Sequence, residues 1–221
     1  MLPASFSSAP YIFVQRFGAP ANMVQLRCSH NGIMFVSDWL SKGGGEMAAR
    51  KASKTEPRML EMPQQKMAVV RAKGTPDKVF PEVMPALYGS VYTLKFDLKK
   101  KGTPTFKVTG LRTRYPDAHL APKEEWTHII GLPIPEDTTS LPQKVPNVEV
   151  KIETWEYGTV AQILHLGPYD QEGPNIERLH KFIEANGYEV AGAHEEEYLT
   201  RPDAQVVKTI IRYPVKKTKG K

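Results

Sequence analysis

The stretch "TVAQILHLGPYDQEGPNIERLHKFIEANG", Thr159 to Gly187, decides the fold. Its opening is apolar and β-branched and runs into Gly167 and Pro168, which reads as a strand entering a turn. Ile176, Leu179, His180 and Ile183 then recur at steps of three and four, so Gly173 to Asn186 reads as a helix with one buried face. Gly187 stops it. The strands "AHEEEYLT" and "AQVVKTIIRYP" follow, and "VEVKIETWEYG" precedes.

The first half of the chain has the same order. "KMAVVRAKGTP", Lys66 to Pro76, is a strand ending in a Gly/Pro turn, and Asp77 to Leu98 is a helix whose stripe is Phe80, Val83, Leu87, Val91, Leu94 and Leu98. Pro81 suits a first turn, whereas Pro85 predicts a kink or a later start. Two strands follow, "TFKVTGLRTRY" and "EWTHIIGLPI", and Pro133 to Asn147 is a proline-rich connection. The expected fold is therefore α+β. A tandem duplication of a strand-helix-strand-strand module, in repeats at about 60–134 and 148–215, forms a curved antiparallel sheet with helices on one side and a ligand cleft on the other.

Composition narrows the partners. The 221 residues are 40% hydrophobic and 24% charged, as in ordinary globular chains. Of the net charge of +6, four units come from Lys216, Lys217, Lys219 and Lys221 in a basic tail at 216–221, so the domain at 47–215 has no extended footprint for nucleic acid. No run approaches the roughly 20 apolar residues of a membrane span. One cysteine, Cys28, excludes an intramolecular disulfide framework and fits a cytoplasmic protein. Residues 1–46 lack a helical or strand period and end in "SKGGGE" before Met47. They read as an extension, either a disordered or targeting arm or a segment preceding a true start at Met47. Oligomeric state is not legible.

Three carboxylates stand in a row in "GAHEEEYLT", Gly192 to Thr200. Strand alternation puts His194, Glu196 and Tyr198 on one face and Glu195, Glu197 and Leu199 on the other. Either all three acids lie exposed on an edge, or Glu196 enters a pocket while its neighbours are solvated or guard an edge against pairing.

The motifs "ALYGSVYTLKF" (Ala86 to Phe96), "HLGPYDQEGPNIERLHKFIEANGYE" (His165 to Glu189), "GAHEEEYLTRPD" (Gly192 to Asp203) and "VVKTIIRYPV" resemble the GyrI-like small-molecule-binding superfamily, in particular its stand-alone members. The resemblance implies a duplicated module and places the glutamate of H-x-E-x-Y-L, here Glu196, in the ligand cleft. Relatives include effector-binding domains of multidrug-sensing transcription regulators and hydrolases that open cyclopropane rings in DNA-alkylating compounds. The chain departs from the pattern at "TGLRTRYPD", Thr109 to Asp117, where Arg112 and Arg114 are foreign to an apolar pocket wall.

The implied ligand is a small, planar aromatic or cationic molecule, bound by Tyr88, Tyr92, Trp126, Tyr169 and Tyr198, with Glu196 as the catalytic base if the domain is a hydrolase. Packing is the other reading for each aromatic, and a core histidine for His165. The alternative function is an effector-sensing or protein-interaction module without catalysis, a regulator partner or gyrase-inhibitor-like protein. No cofactor or metal is implied. Ser90 has no G-x-S-x-G around it, "HEEEY" is not H-E-x-x-H, and the glycines at 43–45 lack a P-loop lysine.

Overall fold

A computed structural model of the chain describes residues 55–219. The readings made for residues 1–46, for Cys28 and for a start at Met47 lie outside the described residues. Nine strands and two helices follow one another as β1 (Arg58–Met62), β2 (Gln65–Lys73), α1 (Pro76–Lys100), β3 (Leu111–Tyr115), β4 (Thr127–Pro133), β5 (Lys151–Trp155), β6 (Gly158–Leu166), α2 (Gly173–Ala185), β7 (Tyr188–Val190), β8 (His194–Tyr198) and β9 (Lys208–Lys217). All pair antiparallel, in the order β1-β6-β9-β8-β3-β4-β2-β5, with β7 on β9. The result is a curled antiparallel sheet carrying two helices, the expected α+β class. The order strand, helix, strand, strand recurs as β2-α1-β3-β4 and, around the short β7, as β6-α2-β8-β9.

Each half lends its opening strand to the other. β1 precedes β2 but pairs with β6, and β5 precedes β6 but pairs with β2. The central seam is β3 on β8, where Thr113 faces Glu196.

Periodicity explains which residues face what. On α1, Val79, Val83, Ala86, Leu87 and Val91 are buried against Ala68 and Val70 of β2 and Ile130 and Leu132 of β4. On α2, Leu179 and Ile183 pack on Ala161 and Ile163 of β6 and on Ile211, Tyr213 and Val215 of β9. The alternate residues Met67, Val69, Trp155, Tyr157 and Val160 form a third cluster on the opposite face. Helix α1 starts at Pro76 and runs for 25 residues through both Pro81 and Pro85. Both prolines are exposed, so the carbonyls they leave unpaired face water, and the helix does not wait for Pro85 to start. The strands β1 and β7 were not read from sequence, and the basic tail begins inside β9, which continues to Lys217.

Each helix covers the strands of its own flank, and the β3–β8 seam between them is left open on the helix face. The cleft therefore lies between α1 and α2, on the helix side of the sheet and not on the opposite side as expected. Among the described residues no helix is long and apolar enough to cross a membrane.

Candidate functional site

The space between the helices is a cavity of about 1760 Å³. Phe80, Met84 and Tyr88 of α1 form one wall, Ile176 and His180 of α2 the other, and Leu111, Tyr115, Glu196 and Tyr198 the floor. This exceeds the several hundred Å³ usual for the sites of drug-sized ligands.

Glu196 sits at the centre of a hydrogen-bonded cluster. Tyr198 donates its hydroxyl to Oε2 at 2.6 Å, and Nε2 of His194 lies 3.0 Å from Oε1. A carboxylate only accepts, so that ring nitrogen carries the proton. Nδ1 of His194 is then paired with the Tyr213 hydroxyl at 2.8 Å. Because the Tyr198 proton goes to Glu196, Tyr115 is the donor in the 2.8 Å contact between the two tyrosine hydroxyls. Burial by itself would raise the Glu196 carboxyl, but the hydrogen bond and charge of His194 and the Tyr198 hydroxyl outweigh it and hold the group below the usual carboxylate range. Tyr115 and Tyr198 are pushed well above the ordinary phenol value, chiefly by burial, with the Glu196 charge adding to it, and both stay donors.

A second carboxyl meets it. Glu172 stands immediately before α2, is 5% exposed, and turns into the cavity without capping the helix. Oxygens of Glu172 and Glu196 and a ring nitrogen of His194 all lie within 4.8 Å of one another. Burial, the neighbouring Glu196 charge and a hydrogen bond between the two carboxyls push Glu172 up to about 9. The two adjacent acids are thus driven apart, Glu196 down and Glu172 up. Both nitrogens of His194 are committed to protein partners, which makes this trio a hydrogen-bonded cluster.

The turn that delivers Glu172 is pinned from below. Nε2 of His165 donates to the Pro168 carbonyl at 2.9 Å, and the Asn175 amide reaches Nδ1 at 2.9 Å. His165 is the buried, hydrogen-bonded residue that its place on a strand suggested.

The residues singled out from sequence divide as follows. Glu196, Tyr198, Tyr88, Trp126 and Tyr169 all line the cavity. Tyr169 meets Tyr198 edge-on at 5.6 Å, and Trp126 meets Tyr115 at 5.8 Å while its indole donates to the Ala121 carbonyl. Tyr92 is not among the lining residues. It is 41% exposed on α1, stacked between Tyr88 and Phe96. Sequence reading missed Glu172, Tyr115, Tyr213 and His180. Alternation with Ile211 and Val215 would have turned Tyr213 inward, but nothing in the local sequence separates Glu172 from an ordinary acid at a helix start.

Two expectations are corrected on the other face of the sheet. Glu195 and Glu197 are neither solvated nor on an edge, since β8 lies between β3 and β9. Glu195, 1% exposed, accepts from Arg114 at 2.8 Å, Arg212 at 2.6 Å and the Tyr157 hydroxyl at 3.2 Å. Glu197 accepts from Arg212 at 2.9 Å and lies 3.5 Å from Arg112. The Arg114 guanidinium rests over Trp155 at 4.0 Å. Arg112 and Arg114 thus point away from the cavity, whose strand β3 presents Leu111 and Tyr115 instead. The pocket wall is apolar and aromatic after all.

No curated protein sequence matches the chain. Among solved structures, an uncharacterized conserved protein from Listeria innocua is similar at 26% identity, covering 75% of this chain and 94% of that one, with a TM-score of 0.65. A hydrolase from Listeria innocua is similar at 25% identity, with the same coverages and a TM-score of 0.63. EcmrR, solved in a complex with DNA, shares the fold at 18% identity and a TM-score of 0.50, covering 74% of this chain and 58% of that one. Residues 55–216 match the GyrI-like small molecule binding domain, and the chain belongs to that family.

Proposed function

We propose that the cavity binds planar aromatic or cationic molecules and that Glu196 activates water within it to open strained cyclopropane rings. The observation that carries this is the Glu196 carboxyl at the floor of an aromatic-walled cavity, held by His194 and Tyr198 and set close to the second carboxyl of Glu172. A hydrolase of similar fold at 25% identity supports the catalytic part.

In the proposed step, Glu196 takes a proton from water while the water oxygen bonds to the ring CH2 of a cyclopropane conjugated to a carbonyl. The ring C–C bond breaks, its electron pair moves through the conjugated system to the carbonyl oxygen, and a tyrosine hydroxyl of the wall, Tyr88 or Tyr169, hydrogen-bonds the developing oxyanion. That oxygen is then protonated from solvent, and Glu196 returns to solvent the proton it took. Relief of ring strain lets one base and one donor suffice.

The test uses the full chain with a spirocyclopropyl dienone, beside Glu196→Gln. The water adduct is followed by mass spectrometry and the melting temperature by scanning fluorimetry. Wild type should form the adduct and the variant should lose about 100-fold or more. A melting shift without adduct makes the domain a ligand sensor, and absence of both overturns the proposal.

A further inference from the structure

We infer that the cavity exchanges a proton for its ligand: Glu172 and Glu196 hold one proton between them while the site is free, and an organic cation entering the cavity displaces it. This rests on the reading of the cavity as a ligand site and adds the ionic currency in which binding is conducted.

The geometry makes the case. The two carboxyls face each other in the cavity, and Oε1 of Glu172 is buried without a hydrogen-bond partner. The titratable groups facing the pair are Tyr115 from β3, His194 and Tyr198 from β8, Tyr213 from β9, His180 from α2, and Tyr169 with Asp170 from the turn before it. Lys107, Lys123 and Arg201 also line the cavity, but Lys123 stands over Trp126, Arg201 pairs with Asp203, and none of the three is among the groups that shift either carboxyl. Arginines 112, 114 and 212, which could have neutralised a second negative charge, are all turned to the opposite face and engaged there with Glu195 and Glu197. Among the described residues, then, His194 on the Glu196 side is the one basic group paired with the two acids, and a proton is what lets the second carboxyl share the space.

The proton's position follows from the hydrogen bonds. Glu196 accepts from both His194 and Tyr198 and keeps the charge, while Glu172, pushed up to about 9, keeps the proton. A permanent positive charge placed above the pair does the proton's work from outside. Glu172 then ionises, and the proton leaves to solvent as the cation arrives.

Linkage gives the sign. One proton released per cation bound makes affinity rise by up to about tenfold per pH unit below the free Glu172 value, while a neutral ligand of the same shape gains nothing.

The experiment is calorimetric titration of the full chain with N-methylacridinium, a flat cation without an acidic proton, and with neutral acridine. Titrations in phosphate and in Tris at pH 7.5 and 8.5 stay above the ordinary imidazole range, so that histidines do not contribute. The expected result is about one proton released per N-methylacridinium, read from the difference in heat between buffers, and a dissociation constant up to about tenfold lower at the higher pH. Acridine, and N-methylacridinium with Glu172→Gln, should show neither effect, with folding of the variant confirmed by its melting curve. Binding of the cation without proton release, or an unchanged pH slope in Glu172→Gln, overturns the inference and leaves the ligand site standing. If neither compound binds, the proposed function and the inference fall together.

Discussion

Glu195 and Glu196 are adjacent on one strand, yet Glu195 is clamped by Arg114 and Arg212 behind the sheet while Glu196 stands in the cavity in front of it. One peptide unit separates a charge clamped behind the sheet from one that lines the cavity. The two should answer substitution in opposite ways.

Glu195→Ala leaves Arg212, whose side chain is 4% exposed, without its principal partner. Breaking a buried pair on one side costs about 3–5 kcal/mol, so denaturant unfolding should shift accordingly. Glu196→Gln keeps the side chain's shape and removes the charge beside Glu172, so it should cost less stability than Glu195→Ala while lowering turnover about 100-fold or more. Equal stability losses would mean that the two acids share a structural role.

Stability should depend on Glu172 in a pH-dependent way. Its folded value, about 9, lies above that of an unfolded glutamate. Below about pH 4 both states hold the proton and there is no penalty; as pH rises the unfolded chain ionises first, so the fold loses up to about 1.4 kcal/mol per pH unit until Glu172 itself ionises. Glu172→Gln removes that loss. Its melting temperature should match wild type near pH 4.5 and exceed it increasingly toward pH 8.5.

Tyr198→Phe deletes the 2.6 Å hydrogen bond to Glu196 and the partner of Tyr115. Loss of a donor to an ionised acceptor costs about 1.5–3 kcal/mol of preference for the charged form, which raises the carboxyl by one to two pH units. Because the base must be ionised to act, the acidic limb of the adduct-formation profile should move to higher pH by that amount. An unmoved limb with a lower plateau would assign Tyr198 to the substrate and not to the base.

The helix α1 offers an internal control. Tyr88 lines the cavity and Tyr92, one turn on, stacks outside it. Tyr88→Ala should weaken N-methylacridinium binding by about 1 kcal/mol, roughly fivefold, whereas Tyr92→Ala should leave titration curves superimposable on wild type.

Much of this was legible in one dimension because strand and helix periods are local. Alternation along 194–198 alone separates Glu196 from its two neighbours, and the stripe Val83, Leu87 and Val91 fixes the buried side of α1. What could not be read depends on which faces meet. Arg112 and Arg114 looked misplaced only while their strand was assumed to turn them inward; the same alternation, set in register with β8, hands them to Glu197 and Glu195. Glu172 and Glu196 lie 24 residues apart, and only the packing of α2 on β6 and β9 brings one over the other. Pro85 misled because its tolerance rests on solvent exposure, a tertiary property.

The reciprocal pairing of β1 with β6 and of β5 with β2 clasps the two halves. Neither half can complete its own sheet edge, so a chain cut within the proline-rich connection 134–147 should yield two fragments that are each poorly folded and that reassemble on mixing. The cavity lies between those halves, and its walls come from both. Cooperativity of folding and integrity of the binding space are thereby tied to the same strand pairings, and a substitution that loosens the clasp should disturb the pocket as well.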